Sequence, residues 1–205
     1  MNILDLWPTE DVPPQSAEAW SDLFERRRST FFGFCALERE RGFLDPPVSL
    51  ALPKGQDAAR LIMFRAIEEF VESGTASSRE HLLEELIDSI NYIMSLGLLD
   101  PDVTIIPDLV EAFATFAGWG IRVNQVQNAD LANFTYSLAA ITDKFRNRAW
   151  MANAQDVYFA GTGELRDAMV DCMVIILVGF DSWGSFWRYF VAKDNVLQFR
   201  LRTNY

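Results

Sequence analysis

Two pairs of carboxylates stand out near the middle of the chain, because each has the spacing of neighbours on a helix. Glu69 and Glu72 form the first pair, and Glu85 and Asp88 form the second. Residues at i and i+3 share a helix face, so two helices packed side by side would direct all of these carboxylates at one small volume. Unpaired anions there repel one another and resist desolvation. The expected guest is Mg²⁺, which binds carboxylate oxygens and water and bridges them to phosphates.

The same spacing also suits two helices whose acidic faces are simply solvated. The chain contains 29 acidic residues, so pairs of this kind arise readily by chance. Glu164 and Asp167 form another such pair, with Asp171 one turn further on. This later pair is an alternative to Glu85 and Asp88 as the second half of the site.

Charge and histidine content narrow the classes of function. The net charge of −11 argues against a nucleic-acid-binding surface, which would need a basic stripe. A nucleotide substrate stays compatible, because bound Mg²⁺ reverses the local sign of the charge. The chain has one histidine, His81, which rules out His-rich catalytic metal sites. We expect His81 to lie on a helix face without a chemical role.

The cysteines and the apolar runs indicate the cellular compartment of the protein. Cys35 and Cys172 both stand among apolar neighbours, which predicts buried free thiols in a reducing compartment. Residues 1–14 lack the basic start of a signal peptide, and the apolar run 172–180 is too short to cross a bilayer. The expectation is a cytoplasmic protein with no membrane partner.

Apolar periodicity predicts an all-α fold, a helical bundle forming a single domain over residues 1–205 with a helical insert at about 100–160. Residues 1–15 are predicted to form an extended arm. Predicted helices cover residues 17–42, 56–73, 77–98, 108–118, 130–150, 163–179 and 183–200.

Local signals refine these helices. Ser16 is the predicted N-cap of the first, and Ser77 with Glu80 reads as a capping box that opens the third. The basic run 26–28 is typical of a solvated face of the first helix, and the alternative is that it meets an acidic partner.

The two acidic pairs resemble the metal-binding signature of the all-α nucleoside triphosphate pyrophosphatases, a superfamily that includes MazG proteins, dimeric dUTPases and phage dCTPase–dUTPases. The helix over residues 83–92 resembles the Glu-x-x-Asp helix of that superfamily, with its apolar continuation. The C-terminus is a second match, because Lys193, Arg200 and Tyr205 keep the relative spacing of the tail motif Lys-Asn-x-x-Asn-x-x-Arg-x-x-x-Gly-Tyr. Asp194, Leu197 and Asn204 depart from that motif, at positions that concern base and sugar recognition.

The resemblance implies Mg²⁺-dependent hydrolysis of a deoxynucleoside triphosphate (dUTP, dCTP or another) to the monophosphate and pyrophosphate. The role it suggests is control of the nucleotide pool, as in a phage-infected cell. It implies that the catalytic metal ligands are Glu69, Glu72, Glu85 and Asp88. It also implies that the tail binds substrate through Lys193, Asn195, Arg200 and Tyr205. The alternative is a noncatalytic helical interaction protein that retained the fold.

A homodimer is expected for two reasons. Relatives of this fold are commonly oligomeric, and the chain has more large apolar side chains than one small domain needs to bury. The residues counted in that surplus are Phe31, Phe32, Phe113, Phe116, Trp119, Phe134 and Trp150.

Overall fold

Helices account for all the regular secondary structure that a computed structural model of the protein describes, which confirms the all-α prediction. The described residues are 2–8, 11–38, 48–100, 104–121, 126–142, 144–145 and 161–203. Within them, the helices are α1 (Ile3–Leu6), α2 (Ala17–Glu38), α3 (Pro53–Gly74), α4 (Arg79–Leu98), α5 (Ile106–Ala114), α6 (Asn128–Thr142), α7 (Thr162–Leu177) and α8 (Trp183–Thr203).

Side-chain capping marks the starts of α2 and α4, with one correction to the prediction. Ser16 Oγ accepts a hydrogen bond from the Ala19 amide at 3.2 Å, as an N-cap should. The predicted capping box of Ser77 and Glu80 is wrong, because Ser78 is the N-cap of α4 and accepts from the His81 amide at 3.1 Å. A capping box needs Glu or Gln at the third helical position, and His81 occupies that position here.

The N-terminal segment contains a short helix, so the prediction of an extended arm over residues 1–15 is wrong there. Asn2 Oδ1 accepts from the Leu4 amide at 2.9 Å and caps α1. Ile3 is buried, and the ring of Trp7 lies 6.3 Å from that of Phe199 on α8. Burial of these apolar groups stabilises α1 against the rest of the protein.

Helices α3 and α4 are joined by a tight turn over residues 75–78 and pack along each other as a helical hairpin. Small side chains permit the close approach: Ser89 Oγ on α4 donates to the carbonyl of Ala66 on α3 at 3.3 Å. Both residues are buried. This hairpin is the element that positions the acidic pairs.

The described residues of the predicted insert pack into the same hydrophobic core as the other helices. The Trp20 indole N–H of α2 donates to the carbonyl of Phe113 in α5 at 2.9 Å. Phe134 of α6 stacks on Phe70 of α3 with ring centroids 4.3 Å apart. The described part of the insert is therefore tied to α2 and to the acidic hairpin.

The aromatic surplus behind the predicted dimer is largely accommodated within the chain. Phe31, Phe113 and Phe134 are buried in the core, and the other described members of the set pack against it in part. Trp150 lies outside the described residues. The dimer stays a prediction that these aromatic side chains do not support.

Both cysteines are free and buried, as expected. Burial raises the pKa of the Cys172 thiol well above its ordinary range, which makes it unreactive. None of the helices in the described ranges combines the length and apolarity needed to cross a bilayer.

Candidate functional site

Three carboxylates converge where α3 and α4 run side by side. Glu69 and Glu72 lie in the last two turns of α3, and Glu85 lies in the second turn of α4. One carboxylate oxygen from each falls within 4.8 Å of the others. Phe70 and Leu86, the chain neighbours of Glu69 and Glu85, are buried and fix the rotation of the two helices. The hairpin thus turns the acidic faces toward each other.

Asp88, the fourth predicted ligand, is held by the C-terminal helix. Lys193 Nζ of α8 lies 2.5 Å from Asp88 Oδ2, and the two side chains are only 15% and 20% exposed. A well-shielded ion pair of this kind is stronger than a surface pair, since the local dielectric is low. The contact places Lys193 of the predicted tail beside the second acidic pair. It gives Asp88 a lysine partner, whereas the contact described for Glu85 is with His81.

The pKa of Glu69 reflects its burial and how closely the carboxylates of the cluster lie together. Burial raises the pKa of Glu69, and repulsion from Asp88, Glu85 and Glu72 and a hydrogen bond with Glu85 act in the same direction, so that together they bring it to about 7. Glu69 therefore holds a proton about half the time at neutral pH. A cation bound among these oxygens would favour the charged form and displace that proton.

Burial also raises the pKa of Asp88, against the opposing effects of Lys193, Arg27 and Arg200. Two of these cations come from α8 and the third from α2. Asp88 is thus the residue at which the acidic hairpin and the surrounding positive charges meet.

Arg27 is one of the three cations near Asp88, and the sequence pattern did not predict it there. It was predicted to lie on a solvated face, and this is wrong, because Arg27 is buried and its Nε donates to Asn91 O and Ser95 Oγ, both at 2.9 Å. Burial lowers the pKa of Arg27 to about 10, so it remains charged at neutral pH. Its sequence position could have predicted this burial, because Arg27 lies one turn from Leu23 and from Phe31, on the apolar stripe of α2.

His81 lies at the edge of the cluster. Its Nε2 is 2.9 Å from Glu85 Oε1, one helical turn further along α4. Sequence reasoning assigned His81 no role, although the i, i+4 spacing to Glu85 was visible. About half of the His81 side chain is exposed, so it touches the outer side of the acidic group.

A pocket of about 670 Å³ opens beside the cluster between α2, α3 and α4. Its wall includes Arg65, one turn before Glu69 on α3, and Tyr92, one turn after Asp88 on α4. Burial and the nearby Glu69 carboxylate raise the pKa of Tyr92, which places its hydroxyl within the field of the cluster. The pocket therefore lies next to the acidic cluster, although none of the four carboxylates lines it.

The other predicted substrate-binding residues of the tail do not lie together. Arg200 is exposed on α8, two turns beyond Lys193, and its charge reaches Asp88. Asn195 lines a separate, smaller groove beside Trp7. Tyr205 lies outside the described residues.

Asp194 has a structural partner of its own. Thr30 Oγ1 of α2 donates to its Oδ1 at 2.6 Å, and Arg26 lies 3.9 Å from its Oδ2. Asp194 is buried, and burial raises the pKa of its carboxyl. The family motif has Asn at this position, so the departure in sequence coincides with a contact that ties α8 to α2.

The alternative acidic pair lies elsewhere. Glu164 and Asp167 are exposed on α7, and Lys144 and Arg166 pair with them at 2.8 and 2.7 Å. The lysine hydrogen bond lowers the pKa of Glu164, the opposite of the shift at Glu69. In the described part of the chain, neither residue joins a group of metal-binding geometry.

Comparisons of the chain with protein-family models, with curated proteins and with solved structures find no significant match. The likeness to the all-α pyrophosphatases therefore rests on the two acidic pairs and on the C-terminal spacing.

Proposed function

We propose that this protein is a Mg²⁺-dependent pyrophosphohydrolase that converts a deoxynucleoside triphosphate to the monophosphate and pyrophosphate. The observation that carries the proposal is the convergence of Glu69, Glu72 and Glu85 within 4.8 Å. The ion pair of Asp88 and Lys193 lies next to these carboxylates. The resemblance to the all-α pyrophosphatases supplies the reaction class, and the cluster supplies a place for it.

The donor set suits a hard divalent cation. Each of the three residues offers a carboxylate oxygen, which Mg²⁺ prefers, and the cluster contains no thiol or imidazole ligand. The raised pKa of Glu69 reflects burial of its carboxyl first, and then repulsion from the neighbouring carboxylates. Bound Mg²⁺ would supply charge neutralisation and Lewis acidity at the triphosphate.

The chain's own residues then have distinct tasks. Lys193 and Arg200 bind phosphate oxygens by charge-assisted hydrogen bonds, which are stronger than neutral ones. One carboxylate of the cluster orients the attacking water and takes its proton. The water oxygen bonds to the α-phosphorus, the bond to the bridging oxygen of the β-phosphate breaks, and pyrophosphate leaves.

The test is pyrophosphate release from each common deoxynucleoside triphosphate with Mg²⁺, and again with excess chelator. The proposal expects release from at least one triphosphate and none in chelator. It also expects Arg200→Ala to weaken nucleotide binding by about 1.5–3 kcal/mol. Turnover in chelator, or no turnover of any triphosphate, would contradict the proposal.

The second candidate is a helical interaction protein without catalysis. The observation that favours it is the use of Asp194 for a buried contact with Thr30, at a position where the resemblance expects a polar residue free for substrate. Such a protein would release no pyrophosphate and would tolerate Lys193→Ala without a change in nucleotide binding. The same hydrolysis screen therefore separates the two candidates.

A further inference from the structure

The pocket beside the acidic cluster has a wall whose chemistry bears on substrate choice. Phe31, Phe34 and Cys35 of α2 face Leu61 and Ile62 of α3 across it. Its volume of about 670 Å³ falls in the range of small-molecule sites. Because the pocket adjoins the cluster, a triphosphate bound at the cluster would direct its sugar and base into this space.

The wall is more apolar than polar, and its polar side chains other than Cys35 are Arg27, Lys54, Asp57, Arg65 and Tyr92. Three of these have contacts within the protein, and for Asp57 the partner is Arg60 at 2.8 Å. Arg27 Nε is used by Asn91 O and Ser95 Oγ. Arg65 pairs with Glu68 at 2.7 Å. Among the described residues of the wall there is no Asn or Gln, the side chains whose paired donor and acceptor read the edge of a base.

The composition of the pocket wall limits how strongly the site can discriminate between bases. A site built to hydrogen-bond a substrate group rejects an analogue that lacks it by roughly 10⁴–10⁵, because the polar groups of the site are left unpaired. An apolar pocket distinguishes ligands that differ by one methyl or one polar group by only roughly 10–200-fold. The two kinds of pocket therefore predict different substrate profiles for the same reaction.

We infer that this pocket takes the nucleoside of the substrate by shape and apolar contact, so that the protein accepts several bases and favours those with more apolar surface. The inference rests on the proposed function, since it concerns the base of the same triphosphate. It predicts that dUTP and dCTP, whose ring edges carry opposite donor and acceptor patterns, are hydrolysed with kcat/KM values within roughly 200-fold of each other. It also predicts that dTTP, with its additional methyl group, exceeds dUTP.

The experiment measures kcat/KM for dUTP, dCTP and dTTP with wild type, Leu61→Trp and Phe64→Trp. Leu61 lines the pocket, whereas Phe64 lies on the same helix, is 57% exposed and is not part of the wall. Leu61→Trp is expected to raise KM for all three triphosphates by roughly tenfold or more through overpacking, and Phe64→Trp to leave it unchanged. Circular dichroism and thermal melts check that both variants fold.

Two kinetic results would overturn the inference. One is a preference of about 10⁴ or more for a single base, which indicates hydrogen-bond reading. The other is a Leu61→Trp variant that behaves like Phe64→Trp. If no triphosphate is hydrolysed, the proposed reaction fails, and binding of the α,β-imido analogues of the three triphosphates decides the inference instead. Similar affinities for the three analogues, together with loss of binding in Leu61→Trp, would uphold the inference, and any other binding result would overturn it.

Discussion

The hairpin of α3 and α4 and the exposed face of α7 carry acidic pairs of the same sequence spacing in different environments. Glu69, Glu72 and Glu85 converge within 4.8 Å, and the pKa of Glu69 is raised to about 7. Glu164 on α7 is exposed beside Lys144, which lowers its pKa. Spacing alone therefore says only that two carboxylates share a helix face.

What separates the two regions is the partner helix. The hairpin is held close by small buried residues such as Ala66 and Ser89, so the acidic faces of both helices meet. The acidic face of α7 is turned to solvent, where single cations neutralise its carboxylates at little energetic cost. The predictions below use this contrast, with α7 or another exposed position as the control.

The largest effect is expected from Glu85→Gln, which removes one ligand charge and keeps the side-chain size. Loss of a metal ligand removes several kcal/mol of transition-state stabilisation, so kcat/KM should fall by roughly 10³-fold. Glu164→Gln is the matched control and should behave like wild type. Equal kinetics for both variants would remove the distinction between the two acidic regions.

Arg27→Met should cause the next largest change, in stability. It removes the guanidinium that donates to Asn91 O and Ser95 Oγ, although Asn91 O still accepts from the Ser95 hydroxyl, and it removes a buried charge near Asp88. The loss should cost about 2–4 kcal/mol in urea unfolding. Arg28→Met changes an exposed arginine of the same run and should cost under about 1 kcal/mol. Similar unfolding midpoints would show that Arg27 is not the buried anchor described above.

Lys193→Met tests the link between tail and hairpin. Loss of the ammonium group should weaken binding of a nonhydrolysable triphosphate by about 1.5–3 kcal/mol, the range for hydrogen bonds to charged groups. It should also raise the pKa of Asp88 further, because Lys193 now opposes the effect of burial. Arg188→Met, an exposed change on the same helix, is the control for titration calorimetry. Unchanged affinity for Lys193→Met would confine that residue to a structural role.

The smallest effect is a pH dependence of apo stability. The folded protein holds a proton on Glu69 up to about pH 7, whereas the unfolded chain releases it near the ordinary value of 4.5. The native state therefore binds more protons in this window, and stability should fall as pH rises from about 4.5 to 7.

The measurement is Tm against pH in chelator. Glu69→Gln should flatten this part of the profile, and Glu164→Gln should retain the wild-type slope. Identical slopes for wild type and Glu69→Gln would argue against a raised pKa at this site.

Much of the fold followed from local sequence signals, because apolar periodicity locates helices well. The predicted start of the last helix at residue 183 and the end of the third at residue 98 agree with Trp183 and Leu98. The short α1 was missed, since it is stabilised by packing against α8, which no local pattern reveals.

The candidate site was predicted unevenly for a similar reason. Helical spacing sufficed to group Glu69 with Glu72, and the resemblance to join them to Glu85. The burial of Arg27 depends on which face of α2 meets α4, and the position of Asn195 depends on the rotation of α8. These are tertiary properties, so a charged run alone could not distinguish Arg27 from its neighbours.

The most direct test of the central claim is Mn²⁺ binding followed by electron paramagnetic resonance, with Mg²⁺ as competitor. The claim is that Glu69, Glu72 and Glu85 form a divalent-cation site. It predicts that wild type and Glu164→Gln bind Mn²⁺ alike, that Mg²⁺ displaces it, and that Glu72→Gln weakens binding by roughly tenfold or more. Wild-type affinity in Glu72→Gln, or no Mn²⁺ binding to wild type, would contradict it.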